Sequence, residues 1–569
     1  MYDVLIRGGA VVDGTGAARR QADVGISGGR VVSIGRIEGP AKQVLEAEGR
    51  VVAPGFVDVH THYDAQAFWD TTLSPSPLHG VTTVVGGNCG FTVAPVTGAG
   101  TEYVMRMLAK VEGMPLESLR QGLPWNWRTT GEYLDRLDGT LAVNAGFLVG
   151  HSTLRRYVLG EEAVTRTSTP EELEGMARIL QEALQAGALG FSSTWASTHN
   201  DASGKPVPSR HADASELLAL ARVCGEVDGT SLEFIPTHGP FDREVAELLV
   251  GMSLAAQRPL NWNIMIVTAA TLSAWLDKLE VSSEARRRGA KVVGLVAADI
   301  PDARLNFASG NVLDALPGWA GAMALPLDDK LALLSNPERR RHLHARSLED
   351  SPMRHFAAWD AMVVVETFSP ATAPYTGRSV GEIADVEGKQ PFDALCDIAC
   401  ADHLRTVFTS PRGAMTAEDW KARASIWRDD RTVVGASDAG AHLDQISMFT
   451  FATSLLEKGV REQRVLSLEE AVRLLSDEPA RLYGLRDRGR LVEGAWADVV
   501  VFDEDTVGPE AVYTRHDLPG GAGRLYAGAY GIDSVLVNGI EIVDHGEMTD
   551  ARPGTLLRSG RDTVTPALT

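Results

Sequence analysis

The run from Pro54 to His62 reads PGFVDVHTH and decides the fold more clearly than any other stretch of the chain. Its apolar residues predict a β-strand that ends at two histidines separated by one residue. Alternate residues of a strand point to the same side, so His60 and His62 project together. In (β/α)8 barrels the active site lies at the carboxyl ends of the strands. The run therefore predicts a first barrel strand whose two imidazoles bind a divalent metal, with two ordinary surface or core histidines as the alternative.

Further apolar runs follow this strand and alternate with helical patterns, as expected for parallel βα repeats. Helices are predicted from Pro170 to Gln185 and from Ala214 to Glu226. The pattern predicts an α/β fold with a (β/α)8 TIM-like barrel. The predicted barrel strands are residues 55–59, 81–85, 141–149, 188–193, 231–235, 260–264, 291–296 and 432–437.

Both ends of the chain carry short β-rich runs that are separated by glycine. Residues 1–54 are too few to hold a core alone, and similar runs recur near the C-terminus. The sequence therefore predicts a small β-sandwich domain formed by residues 1–54 and 481–569, and a barrel domain over residues 55–480. Residues 300–430 are too many for one βα connection, so they are expected to hold extra helices or a lid.

The composition is typical of a globular enzyme, with 569 residues, of which 44% are hydrophobic and 23% charged. The net charge of -21 disfavours nucleic acid and leaves a small molecule as the expected partner. The sequence predicts neither a membrane span nor a signal peptide. Four cysteines in so long a chain do not form a disulfide framework. We therefore expect a cytoplasmic protein without membrane partners, and the composition is compatible with a homo-oligomer.

A second chemical signal is the sequence SDAG at residues 437–440, which follows the predicted last strand. In a closed barrel the last strand lies beside the first, so Asp438 is expected near His60 and His62. There the carboxylate can bind the metal and accept a proton from metal-activated water. Taken alone, Asp438 also suits a helix N-cap. The nearby histidine pair favours the catalytic interpretation.

These motifs resemble the amidohydrolase superfamily, through the turn at Val12–Gly16 and the run APGFVDVHTHYD at residues 53–64. Within this superfamily the chain is most similar to the D-aminoacylase (N-acyl-D-amino-acid deacylase) family. The similarity extends over nearly the whole chain and is weakest between residues 265 and 360. The motifs that carry it are GGNCG at 86–90, GHSTLR at 150–155, TH at 237–238 and SD at 437–438.

The resemblance implies a metal-dependent hydrolase that cleaves the amide bond of a small-molecule N-acyl amino acid. It further implies one tightly held Zn²⁺, a second and weaker metal site, and Cys89 and His238 as metal ligands. A thiolate is a strong zinc ligand, which fits Cys89. The alternatives are a small buried core residue for Cys89 and a hydrogen-bonded loop residue for His238.

The chain departs from this family at the predicted sixth strand. The family has a histidine ligand and a following lysine there, whereas residues 258–265 read RPLNWNIM. The amide oxygen of Asn263 is a poorer zinc ligand than an imidazole. Two ligand sets therefore remain open, namely the family set with Cys89 and a mononuclear set of the histidine pair, His238 and Asp438. The lysine that would hold a substrate carboxylate is also missing.

Five further residues are candidates for contacts with the substrate. His151 follows the third strand and is expected to polarise the substrate carbonyl, with a packing histidine as the alternative. Asn263 and Trp262 end the sixth strand and are expected to line the substrate pocket. Arg155 is a candidate for binding a carboxylate, unless it is a solvated surface arginine. His442 lies one helical turn after the catalytic aspartate and can line the mouth of the site.

The resulting hypothesis is amide hydrolysis in which a divalent cation activates water and Asp438 accepts the proton. The cation and His151 stabilise the developing oxyanion, and Asp438 returns the proton to the departing amine. Two alternatives remain open: the same machinery acting on a cyclic amide, lactone or other C–N bond, and a non-catalytic, metal-poor binding protein. The missing sixth-strand histidine gives weight to the second. His199 is expected to be a loop residue.

Overall fold

The structure is a computed structural model that describes residues 1–300, 303–310, 312–351, 354–410 and 413–568. Within these residues, strands dominate both ends of the chain, and strands alternate with helices in the middle. None of the described helices combines the length and the apolar composition needed to cross a membrane.

The N-terminal part of the chain forms a group of short strands. The burial of alternate apolar residues, such as Val24 and Ile26, explains why these glycine-punctuated runs become strands. The first strand pairs with the second in antiparallel orientation, and with the fourth and fifth in parallel orientation. The strands are β1 (Tyr2–Val11), β2 (Arg20–Ser27), β3 (Arg30–Gly35), β4 (Ala41–Glu46) and β5 (Val51–Pro54).

The middle of the chain forms parallel strands close to the predicted positions, although the predicted third strand is split in two. Their residues are almost all buried, which is typical of parallel strands covered on both faces. The strands are β6 (Phe56–Asp58), β7 (Val81–Gly86), β8 (Asn144–Phe147), β9 (Val149–Gly150), β10 (Gly190–Thr194), β11 (Ser231–Ile235), β12 (Leu260–Met265) and β13 (Val292–Val296).

These strands form two parallel sheets. One has the order β6-β7-β8, and the other runs from β9 through β10, β11, β12 and β13 to a last strand, residues 432–434. The ends of the first and last strands also meet, since Thr61 and Ala439 form a parallel bridge and the His62 N–H donates to the Ala439 carbonyl over 2.7 Å. The residues that follow the first and last strands therefore lie side by side.

The described residues between 300 and 430 lie, along the chain, between β13 and the last strand of the same parallel sheet. This segment contains several helices and a small antiparallel sheet. It also has a hydrophobic cluster of its own, which includes Trp319, Trp359 and Phe392. The strands are β14 (Arg304–Leu305), β15 (Val363–Glu366) and β16 (Val407–Thr409), and the chain then enters the last parallel strand, β17 (Thr432–Val434).

Among the described residues, four C-terminal strands complete the sheet that the N-terminus begins, and four others form two separate two-stranded sheets. The strand at Val499–Phe502 pairs antiparallel with β5, so both chain ends share one mixed, nine-stranded sheet. The C-terminal strands are β18 (Val499–Phe502), β19 (Gly508–Pro509), β20 (Tyr513–Arg515), β21 (Arg524–Tyr526), β22 (Ala529–Tyr530), β23 (Ile532–Val537), β24 (Ile540–Asp544) and β25 (Glu547–Met548). Of these, β18, β23, β24 and β25 belong to the mixed sheet.

The last part of the chain leaves this sheet and returns to the parallel strands. Leu556 forms a parallel bridge with Ala145 of β8, and the Leu557 N–H donates to the Ala145 carbonyl over 2.7 Å. The Val564 N–H donates to the Gly484 carbonyl. The C-terminal tail therefore fastens the end of the chain to the framework that carries the site.

Several helices begin at a residue whose side chain caps the first turn. Thr169 and Glu172 form a capping box ahead of the helix Pro170–Gln185, as the sequence predicts. The α-helices are α1 (Thr101–Val111), α2 (Leu116–Gly122), α3 (Thr130–Leu137), α4 (His151–Leu159), α5 (Pro170–Gln185), α6 (Ala214–Gly225), α7 (Arg243–Ala256), α8 (Leu272–Arg287), α9 (Ala320–Met323), α10 (Leu327–Ser335), α11 (Pro337–Ser347), α12 (Val380–Glu387), α13 (Pro391–Ala401), α14 (Ala417–Trp427), α15 (Phe451–Ser454), α16 (Leu468–Leu475) and α17 (Asp477–Leu482).

Candidate metal centre and active site

Two histidines and a cysteine converge where the first and second parallel strands end. The metal-binding atoms of His60, His62 and Cys89 all lie within 4.8 Å of one another. Cys89 Sγ is 3.3 Å from His60 Nε2 and 3.8 Å from His62 Nε2. All three side chains are buried. Such a group of imidazole and thiol donors is typical of a zinc site.

Asp438, which follows the last strand, completes this group. Its Oδ1 lies 3.1 Å from His62 Nε2 and 3.4 Å from His60 Nε2. About a quarter of its side chain remains exposed (23%), whereas the two histidine side chains are almost fully buried. We call His60, His62, Cys89 and Asp438 the open cluster, because one of its members is accessible.

Glycines allow Cys89 to approach the histidines. At Gly87, with φ +77°, an added Cβ would lie 2.5 Å from the Leu148 carbonyl oxygen, so only glycine fits there. Cys89 itself adopts φ +58°. The Asn88 side chain donates to the Thr61 and Val85 carbonyls and fastens the turn to the first strand. The GGNCG motif is thus a tight turn that presents a thiol.

The loop after the last strand is also strained. Ala436, Asp438 and His442 all have positive φ angles, of 61°, 56° and 46°. Non-glycine residues in this region cost free energy and cluster at functional sites. At Gly440 an added Cβ would lie 2.6 Å from the backbone of His62, so glycine permits the close approach of the two strand ends. The strain falls on the segment that carries the partly exposed carboxylate of Asp438.

The electrostatics of the open cluster favour a charged carboxylate and a protonated thiol. Burial would raise the pKa of Asp438, but hydrogen bonds with His60 and His62 hold it well below its ordinary value. Burial would lower the pKa of His62, but the charges of Glu112 and Asp438 raise it. Burial raises the pKa of Cys89 well above that of a free thiol. A bound cation is therefore the group that would ionise this thiol.

The donor set fits a divalent cation on chemical grounds. It offers two imidazoles, one thiol and one carboxylate, which are the zinc ligands found in proteins. In addition, His60 Nδ1 is buried and has no hydrogen-bond partner among the described residues. His60, His62, Cys89 and Asp438 are therefore the residues that could hold a metal.

Three buried carboxylates surround the open cluster and were not singled out from the sequence. Glu112 Oε2 lies 3.5 Å from His62 Nδ1. Glu233, in the middle of β11, accepts the Cys89 N–H over 2.9 Å. Asp64 accepts the Gly87 N–H over 2.9 Å. Burial raises the pKa of Glu233 and of Asp64 to about 7, and raises that of Glu112.

A sequence signal existed for one of these carboxylates. Glu233 interrupts an apolar strand, and a charged residue at the centre of a buried strand is rare without a role. Glu112 follows α1 and looks like an ordinary helix-end residue. Its approach to His62 depends on the folding of a segment that is distant along the chain.

His238 lies outside the open cluster. Its side chain is exposed, and its Nε2 is 2.9 Å from the Thr198 Oγ1. The Lys278 Nζ donates to its carbonyl, which holds this loop against α8. The structure therefore does not bring His238 to the atoms of His60 and His62, and its predicted ligand role lacks geometric support here.

His199, expected to be a loop residue, lies in a loop that borders the site. Its Nδ1 is 2.9 Å from the Thr194 Oγ1, and its ring packs edge-on against Phe91. Burial, followed by the charges of His238 and His442, lowers its pKa to about 3. His199 is therefore a neutral imidazole close to the other histidines.

His151 and Arg155 belong to a separate buried group. His151 Nδ1 is 2.8 Å from the Ser193 Oγ, and its Nε2 is 2.7 Å from a Glu216 oxygen. Arg155 donates to both Glu216 oxygens over 2.5 Å. The side chains of His151 and Arg155 have no exposed surface. We call His151, Arg155, Ser193 and Glu216 the closed network.

This arrangement does not support the roles predicted for His151 and Arg155. Both ring nitrogens of His151 are occupied within the closed network, so neither is free to polarise a substrate carbonyl. The Arg155 guanidinium pairs with an internal carboxylate, so it is not available to a substrate carboxylate. His151 connects α4 with α6 and with Ser193 of β10, and Arg155 connects α4 with α6.

The other predicted substrate residues are placed as follows. Trp262 is buried in the main hydrophobic core and stacks on Trp275 with ring centroids 6.3 Å apart. Asn263 is buried and donates to Glu233 over 2.9 Å. His442 is partly exposed, and its Nε2 is 3.9 Å from an Asp438 oxygen. Of these residues only His442 lies at the exposed side of the open cluster.

Comparison with known proteins gives the class to which this fold and site belong. A family model described as the amidohydrolase family matches residues 43–540. The chain therefore belongs to the amidohydrolase family.

Individual relatives place the chain within this family. The N-acyl-D-glutamate deacylase of Alcaligenes xylosoxydans xylosoxydans is 31% identical, over 98% of this chain and 96% of its own length. The D-aminoacylase of the same organism is 28% identical, over 98% of this chain and 97% of its own length. These two relatives confirm the resemblance to D-aminoacylases that the motifs indicated.

A solved structure extends the comparison to three dimensions. The N-acyl-D-glutamate deacylase of Bordetella bronchiseptica, crystallised with zinc and a phosphonate inhibitor that mimics the tetrahedral intermediate, is 27% identical. The two structures align with a TM-score of 0.64, over 98% of this chain and all of the other. The two chains therefore share one overall fold.

Proposed function

We propose that this amidohydrolase is a zinc-dependent deacylase that cleaves the amide bond of an N-acyl-D-amino acid. The relatives that align over nearly the whole chain are named for this activity. The observation that carries the proposal is the convergence of His60, His62, Cys89 and Asp438 from three separate strand ends. One or two divalent ions are expected, and zinc suits the thiol and imidazole donors.

We further propose that the two parallel sheets close into one (β/α)8 barrel. The bridge between Thr61 and Ala439 joins the ends of the first and last strands. Leu148, which lies between β8 and β9, donates its N–H to the Gly86 carbonyl of β7. The barrel domain would comprise residues 55–480, and residues 1–54 and 481–569 would form the small β domain. We also propose that the protein is cytoplasmic and that its partner is a small molecule.

The four residues of the open cluster would hold the metal. A metal bound there would act as a Lewis acid and make water nucleophilic near neutral pH. Asp438 provides the acceptor for the proton of the attacking water, because its carboxylate is ionised and partly exposed. The same oxygen can return that proton to the departing amine. Glu112 faces the far nitrogen of His62 and fixes the orientation of that ring.

The proposal is tested by metal analysis combined with a substrate panel. Purified protein should contain zinc and should hydrolyse N-acyl-D-amino acids faster than the N-acyl-L-amino acids. Cyclic amides such as hydantoins are the third arm of the panel. If the cyclic amides are turned over faster than the N-acyl-D-amino acids, the substrate class is a cyclic amide and the proposed substrate is wrong. A preparation that contains no zinc and cannot be reconstituted with it would contradict the proposed enzyme activity. It would favour the alternative of a non-catalytic binding protein.

A further inference from the structure

Glu233 is an acidic residue with an unusual position. Its neighbours along β11, Leu232 and Phe234, pack into the main hydrophobic core, so the glutamate points to the opposite face. That face is the one on which the open cluster lies, and the residue is fully buried. None of the ion pairs among the described residues includes it. A buried carboxylate without a cation partner must be held by other donors.

Two neutral donors hold the Glu233 carboxylate. The Cys89 N–H donates to Oε2 over 2.9 Å, and the Asn263 Nδ2 donates to Oε1 over 2.9 Å. Cys89 and Asn263 come from the turn after β7 and from β12, on either side of β11 in the framework. Glu233 therefore connects a metal-cluster residue to a strand on its other side.

The Cys89 backbone needs such a restraint. Its φ of +58° lies in the left-handed region that non-glycine residues avoid, and it is flanked by Gly87 and Gly90, which share that region. Such a turn can relieve its strain by adopting another backbone conformation, in which the peptide group at Cys89 is rotated. Rotation would carry the Cys89 thiol away from His60, whose Nε2 is 3.3 Å from it.

We propose that Glu233 is a positioning residue that, together with Asn263, holds Cys89 so that its thiol faces His60 and His62. This inference rests on the proposed metal-dependent function. The carboxylate acts on the cation only through the cysteine, by accepting its backbone N–H. Asn263 completes the arrangement by orienting the carboxylate from β12.

Chemistry distinguishes this role from direct metal binding. In Glu233→Gln, the side-chain oxygen still accepts the Cys89 N–H, and the new amide N–H can donate to the Asn263 oxygen once that amide turns over. The Asn263 oxygen is buried and has no partner among the described residues, so it is available. Glutamine therefore preserves both hydrogen bonds, whereas Glu233→Ala removes both.

The test uses the full-length protein loaded with Co²⁺, for which a bound thiolate gives a near-ultraviolet charge-transfer absorption. Wild type and Glu233→Gln should show this absorption, and Glu233→Ala should lose most of it. Cobalt and zinc affinity, measured by chelator competition, should fall by about 10- to 100-fold in the alanine variant and by much less in the glutamine variant. If Glu233→Gln keeps the absorption and the metal affinity that Glu233→Ala loses, Glu233 acts as a positioning residue.

Two further variants keep the test decisive. Asn263→Ala removes only the second partner of the carboxylate and should weaken the absorption in the same direction, even if Glu233→Ala does not fold. Asn261→Ala is the matched control, since it lies on the same strand and donates to Tyr483 and the Leu232 carbonyl instead. It should leave the absorption unchanged.

Several outcomes overturn the inference. Equal loss in the glutamine and alanine variants would make Glu233 a metal ligand itself. An unchanged absorption in Glu233→Ala, or in Asn263→Ala when the former is unfolded, would show that Cys89 needs no such restraint. If wild type binds no cobalt or shows no thiolate absorption, the proposed metal site itself fails, and the positioning role fails with it.

Discussion

Two histidine-containing clusters lie on the same framework and differ in how their polar atoms are satisfied. In the closed network, both nitrogens of His151 and both oxygens of Glu216 have hydrogen-bond partners within the protein, and among the described residues Arg155 Nε is its one buried polar atom without a partner. In the open cluster, His60 Nδ1 has no partner in the described part of the chain, and Asp438 is partly exposed. Both clusters contain an imidazole that follows a parallel strand and a carboxylate beside it.

This difference shows why residue type and strand position do not by themselves identify an active site. A buried polar group with all of its hydrogen bonds completed contributes to stability and offers nothing to a ligand. The open cluster has a strained backbone, incomplete hydrogen bonds and one partly exposed carboxylate, so its side chains can still bind a ligand. The comparison therefore assigns chemistry to the open cluster and stability to the closed network.

The strongest test of this comparison is Asp438→Ala. Loss of the proton acceptor should lower kcat by at least about 10³-fold, while the far-ultraviolet circular dichroism stays that of wild type. Asp444→Asn is a suitable control, because Asp444 lies in the same loop and pairs with Asn306. A variant that retains wild-type turnover would remove Asp438 from the mechanism.

The closed network should respond in stability and not in chemistry. Glu216→Gln leaves the buried Arg155 without its counter-charge, so the free energy of unfolding should fall by about 3 kcal/mol. Zinc content should stay at the wild-type level. The exposed pair of Glu182 and Arg178 provides the control, and Glu182→Gln should cost less than about 1 kcal/mol. Lost zinc in Glu216→Gln would mean that the two clusters are coupled.

The stability contribution of the closed network should depend on pH. Burial would raise the pKa of Glu216, but His151 and Arg155 lower it to about 2. The unfolded chain binds this proton more readily, at about pH 4.3, so the contribution is full above that value and is lost as the pH falls towards 2. The stability difference between wild type and Glu216→Gln, measured by urea unfolding, should therefore shrink in acid. A constant difference would contradict a lowered pKa.

The smallest effect is expected at His238. Because its side chain lies outside the open cluster and contacts Thr198, His238→Ala should change zinc affinity by less than about tenfold. His62→Ala should lower the affinity by at least about 10²-fold in the same chelator competition. Equal losses would indicate that the His238 loop moves onto the metal, as the resemblance implied.

Much of the fold could be predicted because it follows from local patterns. The apolar runs mark the parallel strands to within a few residues, and the capping box at Thr169 marks the start of α5. The split of the third strand could not be foreseen, since it depends on pairing of β8 and β9 with different neighbours. The return of the C-terminal tail to Ala145 is likewise a long-range contact.

The residues of the site also divide into those that local patterns predict and those that long-range contacts decide. Strand alternation placed His60 and His62 together, and the strand order placed Asp438 beside them. No pattern near His151 indicated that Glu216 and Ser193 would occupy both of its nitrogens. No pattern near Glu112 indicated its approach to His62.

The sequence by itself determined which donor atoms stand at the ends of which strands, because alternation and glycine turns act over a few residues. Only the tertiary structure decided which of those atoms remain available. Hydrogen bonds between side chains that are far apart in sequence close one cluster and leave the other open, and Glu233 lies next to Cys89 only because β11 and the turn after β7 come together. Availability depends on three-dimensional neighbours, and a linear pattern does not encode them.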